Sequence, residues 1–82
     1  MRYTVVWLPS ADDELALLWV QALDRQAVSD AAKRIEQALR IDPDQKGFEQ
    51  DGYWYYTDSP LTVAFELSPD DCLVTILRVV TD

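Results

Sequence analysis

Both glycines and all four prolines of this 82-residue chain fall between its apolar segments, at Pro9, Pro43, Gly47, Gly52, Pro60 and Pro69. Proline removes a backbone donor and glycine weakens regular structure, so these positions cut the chain into the pieces that can become helices or strands. The first piece, RYTVVWL from Arg2 to Leu8, is β-branched and aromatic and reads as a strand ending at Pro9. Ser10 is then the expected N-cap of a helix, with Asp12, Asp13 and Glu14 complementing its dipole. In that helix Ala11, Leu15, Leu18, Trp19 and Ala22 follow helical spacing, and Ala16, Leu17, Val20 and Leu23 widen the apolar arc. So broad an arc predicts a helix covered on more than one side. Asp24 is the expected cap of a second helix with the stripe Ala27, Val28, Ala31, Ala32, Ile35, Ala38 and Leu39, which stops at Asp42-Pro43 because a residue before proline is pushed out of helical geometry.

Residues 44–51, DQKGFEQD, read as a polar loop pinned to the body by Phe48. Three strands joined by short turns follow: Tyr53 to Thr57, closed by Asp58-Ser59-Pro60; Leu61 to Leu67, closed by Ser68-Pro69-Asp70-Asp71; and Cys72 to Val80. The middle strand alternates Leu61, Val63, Phe65 and Leu67 with Thr62, Ala64 and Glu66, as expected where one sheet face meets helices and the other meets solvent. The last strand is apolar on both parities and is expected to be central, paired with the first. The predicted fold is therefore one α+β domain over residues 1–82, ordered β-α-α-β-β-β, with an antiparallel-rich four-stranded sheet and a helical hairpin on one face.

The inventory excludes several function classes. With no histidine and the single cysteine Cys72, neither a Cys/His nucleophile nor a zinc site can be assembled, and no intrachain disulfide can form. There is no glycine-rich phosphate loop and no nucleophile elbow, and no cofactor is expected. Asp12, Asp13 and Glu14 read as dipole complementation, Asp70 and Asp71 as turn residues, and the spacing of Asp42, Asp44, Glu49 and Asp51 does not fit an EF-hand loop, so no metal is expected. Apolar runs fall far short of the ~20 residues of a membrane span, and the N-terminus lacks a secretory cleavage pattern, so the expected address is cytoplasmic. The net charge of −8 disfavours direct nucleic-acid binding. Most of it lies in the second half, where only Lys46 and Arg78 stand against nine acids. Arg78 reads as a cross-sheet partner of Glu66 and Lys46 as a solvated loop residue.

The succession of YTVVWLPSADDELALL, SDAAKRIEQAL with its Asp-Pro, and PLTVAFELSPDDCLVTILRVV resembles the RelE/ParE superfamily, the toxins of bacterial type II toxin–antitoxin modules, which include plasmid-stabilisation proteins. The resemblance spans nearly the whole chain. It implies a toxin component bound by an antitoxin; some members cleave RNA and others act on DNA gyrase. RNA-cleaving members carry basic residues on the exposed sheet face and a basic, histidine or tyrosine residue beyond the last strand. Carried over by position, Trp54 and Tyr56 stand where lysine is common and Thr62 where arginine is common, while the sequence reads Thr81-Asp82 where a catalytic residue follows. The active face is thus diverged, and Arg78, Lys46 and Tyr56 are the remaining catalytic candidates. On this reading Tyr53 and Tyr55 pack toward the helices with Val63 and Phe65. Trp54, Tyr56, Thr62 and Glu66 are then left on the open face as a surface for an antitoxin or another basic protein. A dimer mate covering the aromatics is the alternative, and a noncatalytic binding module on the same fold is the alternative function.

Overall fold

The computed structural model of the protein describes residues 1–81. Strand β1 (Thr4–Trp7) leads into helix α1 (Pro9–Gln21), helix α2 (Arg25–Leu39) and a single turn α3 (Pro43–Lys46). Strands β2 (Phe48–Gln50), β3 (Tyr53–Asp58) and β4 (Leu61–Ser68) follow, then a 3₁₀ turn at Pro69–Asp71 and strand β5 (Leu73–Thr81). The strands form one five-stranded sheet in the order β1-β5-β4-β3-β2. Strands β1 and β5 run parallel and all other neighbours antiparallel. Among the described residues no helix is long and apolar enough to cross a membrane.

The α+β order is as expected, with a five-stranded mixed sheet in place of a four-stranded one. The extra strand lies in the segment expected to be a loop. Asp51 and Gly52 both have positive φ, 55° and 85°, the pair of conformations a two-residue hairpin needs, and they fold Phe48–Gln50 back onto Tyr53–Tyr55. Phe48 therefore does not pin the segment to the core; it is 58% exposed and stacks on Tyr55 with ring centroids 5.6 Å apart.

The core is a single layer between sheet and helices. Leu61, Val63 and Phe65 of β4 and Val74, Ile76 and Val79 of β5 are buried with Val28, Ala31, Ile35 and Leu39 of α2. Those four α2 positions recur at helical spacing, which is why one face of α2 closes over the sheet. Asp24 caps α2 as expected, its carboxylate accepting the Ala27 N–H at 3.0 Å. Two further bonds lock α2 in place: the Trp7 indole N–H donates to Glu36 at 2.6 Å, and the Arg34 guanidinium grips Asp58 through Nε and Nη2 at 3.0–3.1 Å.

Helix α1 departs from expectation twice. It starts at Pro9 with Leu8 as N-cap, not at Ser10, because the fixed φ of proline suits the first helical position. It is also covered on one side only. Ala11 is its one fully buried residue, while Leu17, Trp19 and Val20 stand 56%, 41% and 57% exposed and the Arg25 guanidinium lies 4.7 Å over the Trp19 ring.

Gly47 packs tightly against the core: an added Cβ would lie 2.8 Å from the Phe65 ring and 2.9 Å from the Tyr55 carbonyl oxygen. Both neighbours are held, one by the buried core and one by the β2–β3–β4 ladder. Gly47→Ala is therefore expected to destabilise the fold by about 1–3 kcal/mol, read as a lower urea midpoint with an unchanged slope.

Candidate functional site

The face of the sheet turned away from the helices is built by β3, β4 and β5, and register decides what it displays. Residues directly opposite one another on paired strands share a face. Trp54 pairs with Phe65 and Tyr56 with Val63, both partners buried in the core, whereas Tyr55 pairs with Ala64 and Thr57 with Thr62. Trp54 and Tyr56 thus lie on the helix side, partly buried, with the Trp54 ring 6.3 Å from that of Phe65. Tyr55 lies on the open side, and Tyr53 on the same parity is 46% exposed. This inverts the expected assignment of the four aromatics. The cause is turn length: Asp58 is itself paired with Leu61, so the connection is Ser59-Pro60 alone and not three residues, and a one-residue slip sends every side chain of β3 to the other face.

A β-bulge orients Arg78. Ala64 pairs with Arg78 but Phe65 pairs with Ile76, so Leu77 is an extra residue on β5. The extra residue lets Val74, Ile76 and Val79 all face the core and turns Arg78 outward, where it is exposed. Glu66 is not its partner, being opposite Thr75. The guanidinium instead reaches round the sheet edge to α1, with Nη2 2.9 Å and Nε 3.2 Å from Glu14 Oε2. The other carboxylate oxygen, Oε1, accepts the Val79 backbone N–H at 3.2 Å. The Arg78 hydrogen bond first, and the Val79 N–H second, hold the Glu14 carboxyl below the ordinary glutamate pKa.

Arg78 and Thr62 meet in a shallow cleft of about 210 Å³ with Tyr55, Ala64 and Val80. The Thr62 and Thr57 hydroxyls bond each other at 2.8 Å, and the Phe48–Tyr55 stack stands beside the cleft. Glu66 is exposed on the same face of β4, beyond Ala64. The structure does not bring Trp54, Tyr56 or Lys46 to this place. Lys46 donates to the Ala38 carbonyl at 2.7 Å, at the C-terminal end of α2, and α3 leads into β2, the edge strand farthest from β5. Tyr55, Phe48 and Glu14 were missed as contributors; the Asp51-Gly52 pair could have revealed Phe48 as a strand residue, whereas nothing in the sequence announces the bulge.

The chemistry of this face is narrow. Arg78 is the only basic residue in any of the five strands, and it is already committed to a carboxylate. Among the described residues no group of three or more acidic or cysteine side chains is placed to hold a metal ion. Hydroxyls, aromatic rings and apolar walls suit contact with another surface.

No sequence-family model matches the chain, and no curated protein matches it by sequence. Solved structures do. A chain of the toxin–antitoxin complex RelBE2 from Mycobacterium tuberculosis superposes with a TM-score of 0.80 at 17% identity, covering 100% of this chain and 93% of that one. A chain of the chromosomal ParDE toxin–antitoxin system from P. aeruginosa gives a TM-score of 0.75 at 18% identity, covering 98% of this chain and 96% of that one. The chain therefore has the RelE/ParE-like fold that the sequence resemblance implied.

Because Glu14 is held below its ordinary pKa in the fold, the tie from α1 to β5 is fully present above that ordinary value and is lost as pH falls through the lowered one. Thermal melts from about pH 6 down to about pH 3 are expected to show Glu14→Gln less stable than the parent at the upper end, with the gap closing as the parent's carboxylate protonates. A gap independent of pH would remove the ionised Glu14 from the account.

Proposed function

We propose that this chain is the toxin-like component of a two-protein toxin–antitoxin module, bound by an antitoxin or another basic protein, with an active face diverged from RNA cleavage. The observation that carries the reading is the likeness over 100% of the chain to a chain of a toxin–antitoxin complex. That likeness is combined with a sheet whose only basic residue, Arg78, is already paired. The net charge of −8 supports a basic partner and opposes a phosphate backbone as direct ligand. On this reading Tyr55, Thr62, Glu66 and Arg78 form the recognition surface, and Trp54 and Tyr56 support it from the helix side.

A second reading is favoured by the exposed Phe48–Tyr55 stack: a noncatalytic binding module on the same fold, holding a protein with its open face. A homodimer would cover that stack as well.

Inducible expression in a bacterial host, with growth and total translation followed over time, separates these readings. The toxin reading expects growth arrest by the parent, relieved by Tyr55→Ala or Arg78→Ala variants that remain soluble and folded. Unimpaired growth with soluble, folded parent protein selects the binding module instead.

A further inference from the structure

Helix α1 is apolar on its outer arc as well as its inner one. Ala11, Leu15 and Leu18 pack toward the sheet, while Ala16, Leu17 and Val20 fall on the opposite arc and are exposed. The apolar exposure continues past both ends of the helix, to Leu8 before it and Leu23 after it. On the side of α2 it dips into a groove of about 480 Å³ lined by Leu15, Ala16, Trp19, Val20, Val28 and Ala32. So continuous a surface is more than the scattered single apolar residues of an ordinary exterior.

Charge is arranged lengthwise on the same helix. Asp12 and Asp13 stand at its N-terminal end, and among the described residues neither carboxylate has a hydrogen-bond or ion-pair partner. At its C-terminal end stands Arg25, whose guanidinium lies over the Trp19 ring and donates to the Val20 carbonyl at 3.2 Å. That bond leaves guanidinium donors over, and among the described residues Arg25 has no carboxylate partner. The helix is therefore anionic at one end, cationic at the other and apolar between.

This pattern is complementary to itself when reversed. In a two-fold contact each residue pair occurs twice, once in each direction. Two α1 helices crossing antiparallel at Ala16 set the residues three and four before it against those three and four after it. Asp12 and Asp13 of each copy then meet the Trp19–Val20 end of the other, where Arg25 stands, and Leu23 comes against the Leu8 end. The small side chain of Ala16 allows the helix axes to approach to the roughly 8–10 Å of ordinary packing. Net charge does not forbid the meeting. Residues 1–41 carry five basic and six acidic side chains, so nearly all of the net −8 lies in residues 42–82, away from α1.

We propose that the outer face of α1 is a homodimer interface, in which two copies pack their first helices antiparallel about Ala16 with Asp12 and Asp13 of each facing Arg25 of the other. The contact lies on the helix side of the molecule, so the clefts at Tyr55, Thr62 and Arg78 stay open and face apart. The dimer is thereby bivalent toward whatever the sheet face binds. It goes beyond the toxin and binding-module readings and depends on neither.

The test follows the full-length protein by sedimentation equilibrium from about 1 to about 300 μM. Twice the chain mass is expected at the upper end. Leu17→Glu puts two carboxylates across the axis and should weaken dimerisation by at least about tenfold while the far-UV spectrum stays native. Asp12→Lys combined with Asp13→Lys should weaken it too, as should Arg25→Glu in a separate protein. An equimolar mixture of those two proteins should recover a dimer holding one of each, because opposite charges then meet at both ends; native mass spectrometry with one protein isotope-labelled identifies it. Tyr55→Ala, on the sheet side, should leave association unchanged. A parent monomeric over the whole range would overturn the proposal and leave the α1 face to a partner of another kind. A dimer indifferent to Leu17→Glu, or a mixture no more associated than its components, would overturn it as well. Dissociation by Tyr55→Ala alone would do the same and move the interface to the sheet.

Discussion

The burial of β5 between β1 and β4 is the constraint on which the rest of this fold depends. Its inward residues Val74, Ile76 and Val79 meet Leu61, Val63 and Phe65 of β4 under the apolar stripe of α2, and full burial of side chains of this size supplies the main driving force for a domain of 82 residues. The strand could not serve that role with a regular pleat, because Ile76 and Val79 are of opposite parity. The extra residue at Leu77 reconciles them, and in doing so it sends Arg78 outward and brings the Val79 amide to the edge beside α1. One irregularity in the ladder thus satisfies the core and builds the most structured feature of the surface.

How much of this was legible in the sequence varies with the kind of signal. The order of elements, the cap at Asp24, the stripe of α2 and the inward set of β4 were readable because each rests on periodicity or on a capping side chain, which are local properties. The sidedness of β3 was not, since Tyr53, Trp54, Tyr55 and Tyr56 are aromatic on both parities and give no contrast between faces. Its orientation hung on whether Asp58 belonged to the turn or to the strand, a choice that pairing with Leu61 decides only in the folded chain. The position of Arg78 was hidden for a related reason: a bulge leaves no mark in a strand that carries apolar residues on both parities. The Asp51-Gly52 turn was the opposite case, a strong local hairpin signal in a segment whose polarity argued for a loop.

The two sides of the molecule carry different kinds of exposed surface. The open sheet face combines the Phe48–Tyr55 stack with threonine hydroxyls, while the far side of α1 presents Leu17, Trp19 and Val20. A helix apolar over so wide an arc but buried on one side leaves the α1 surface unsatisfied in the single chain, consistent with a protein built to be contacted by others. Glu14 sits where these surfaces meet, bound at once to Arg78 and to the backbone of β5.

The parallel pairing of β1 with β5 also governs how the molecule can be made. Synthesis delivers Thr4–Trp7 and the apolar helix α1 well before their partners at Leu73–Ile76, which lie far along the chain. Until then the first strand has no ladder to join, and the nascent chain carries an unpaired β-branched segment that cannot be buried. Closure of the sheet is thus a late, long-range event, and the interval before it is when the chain is most exposed to misassociation.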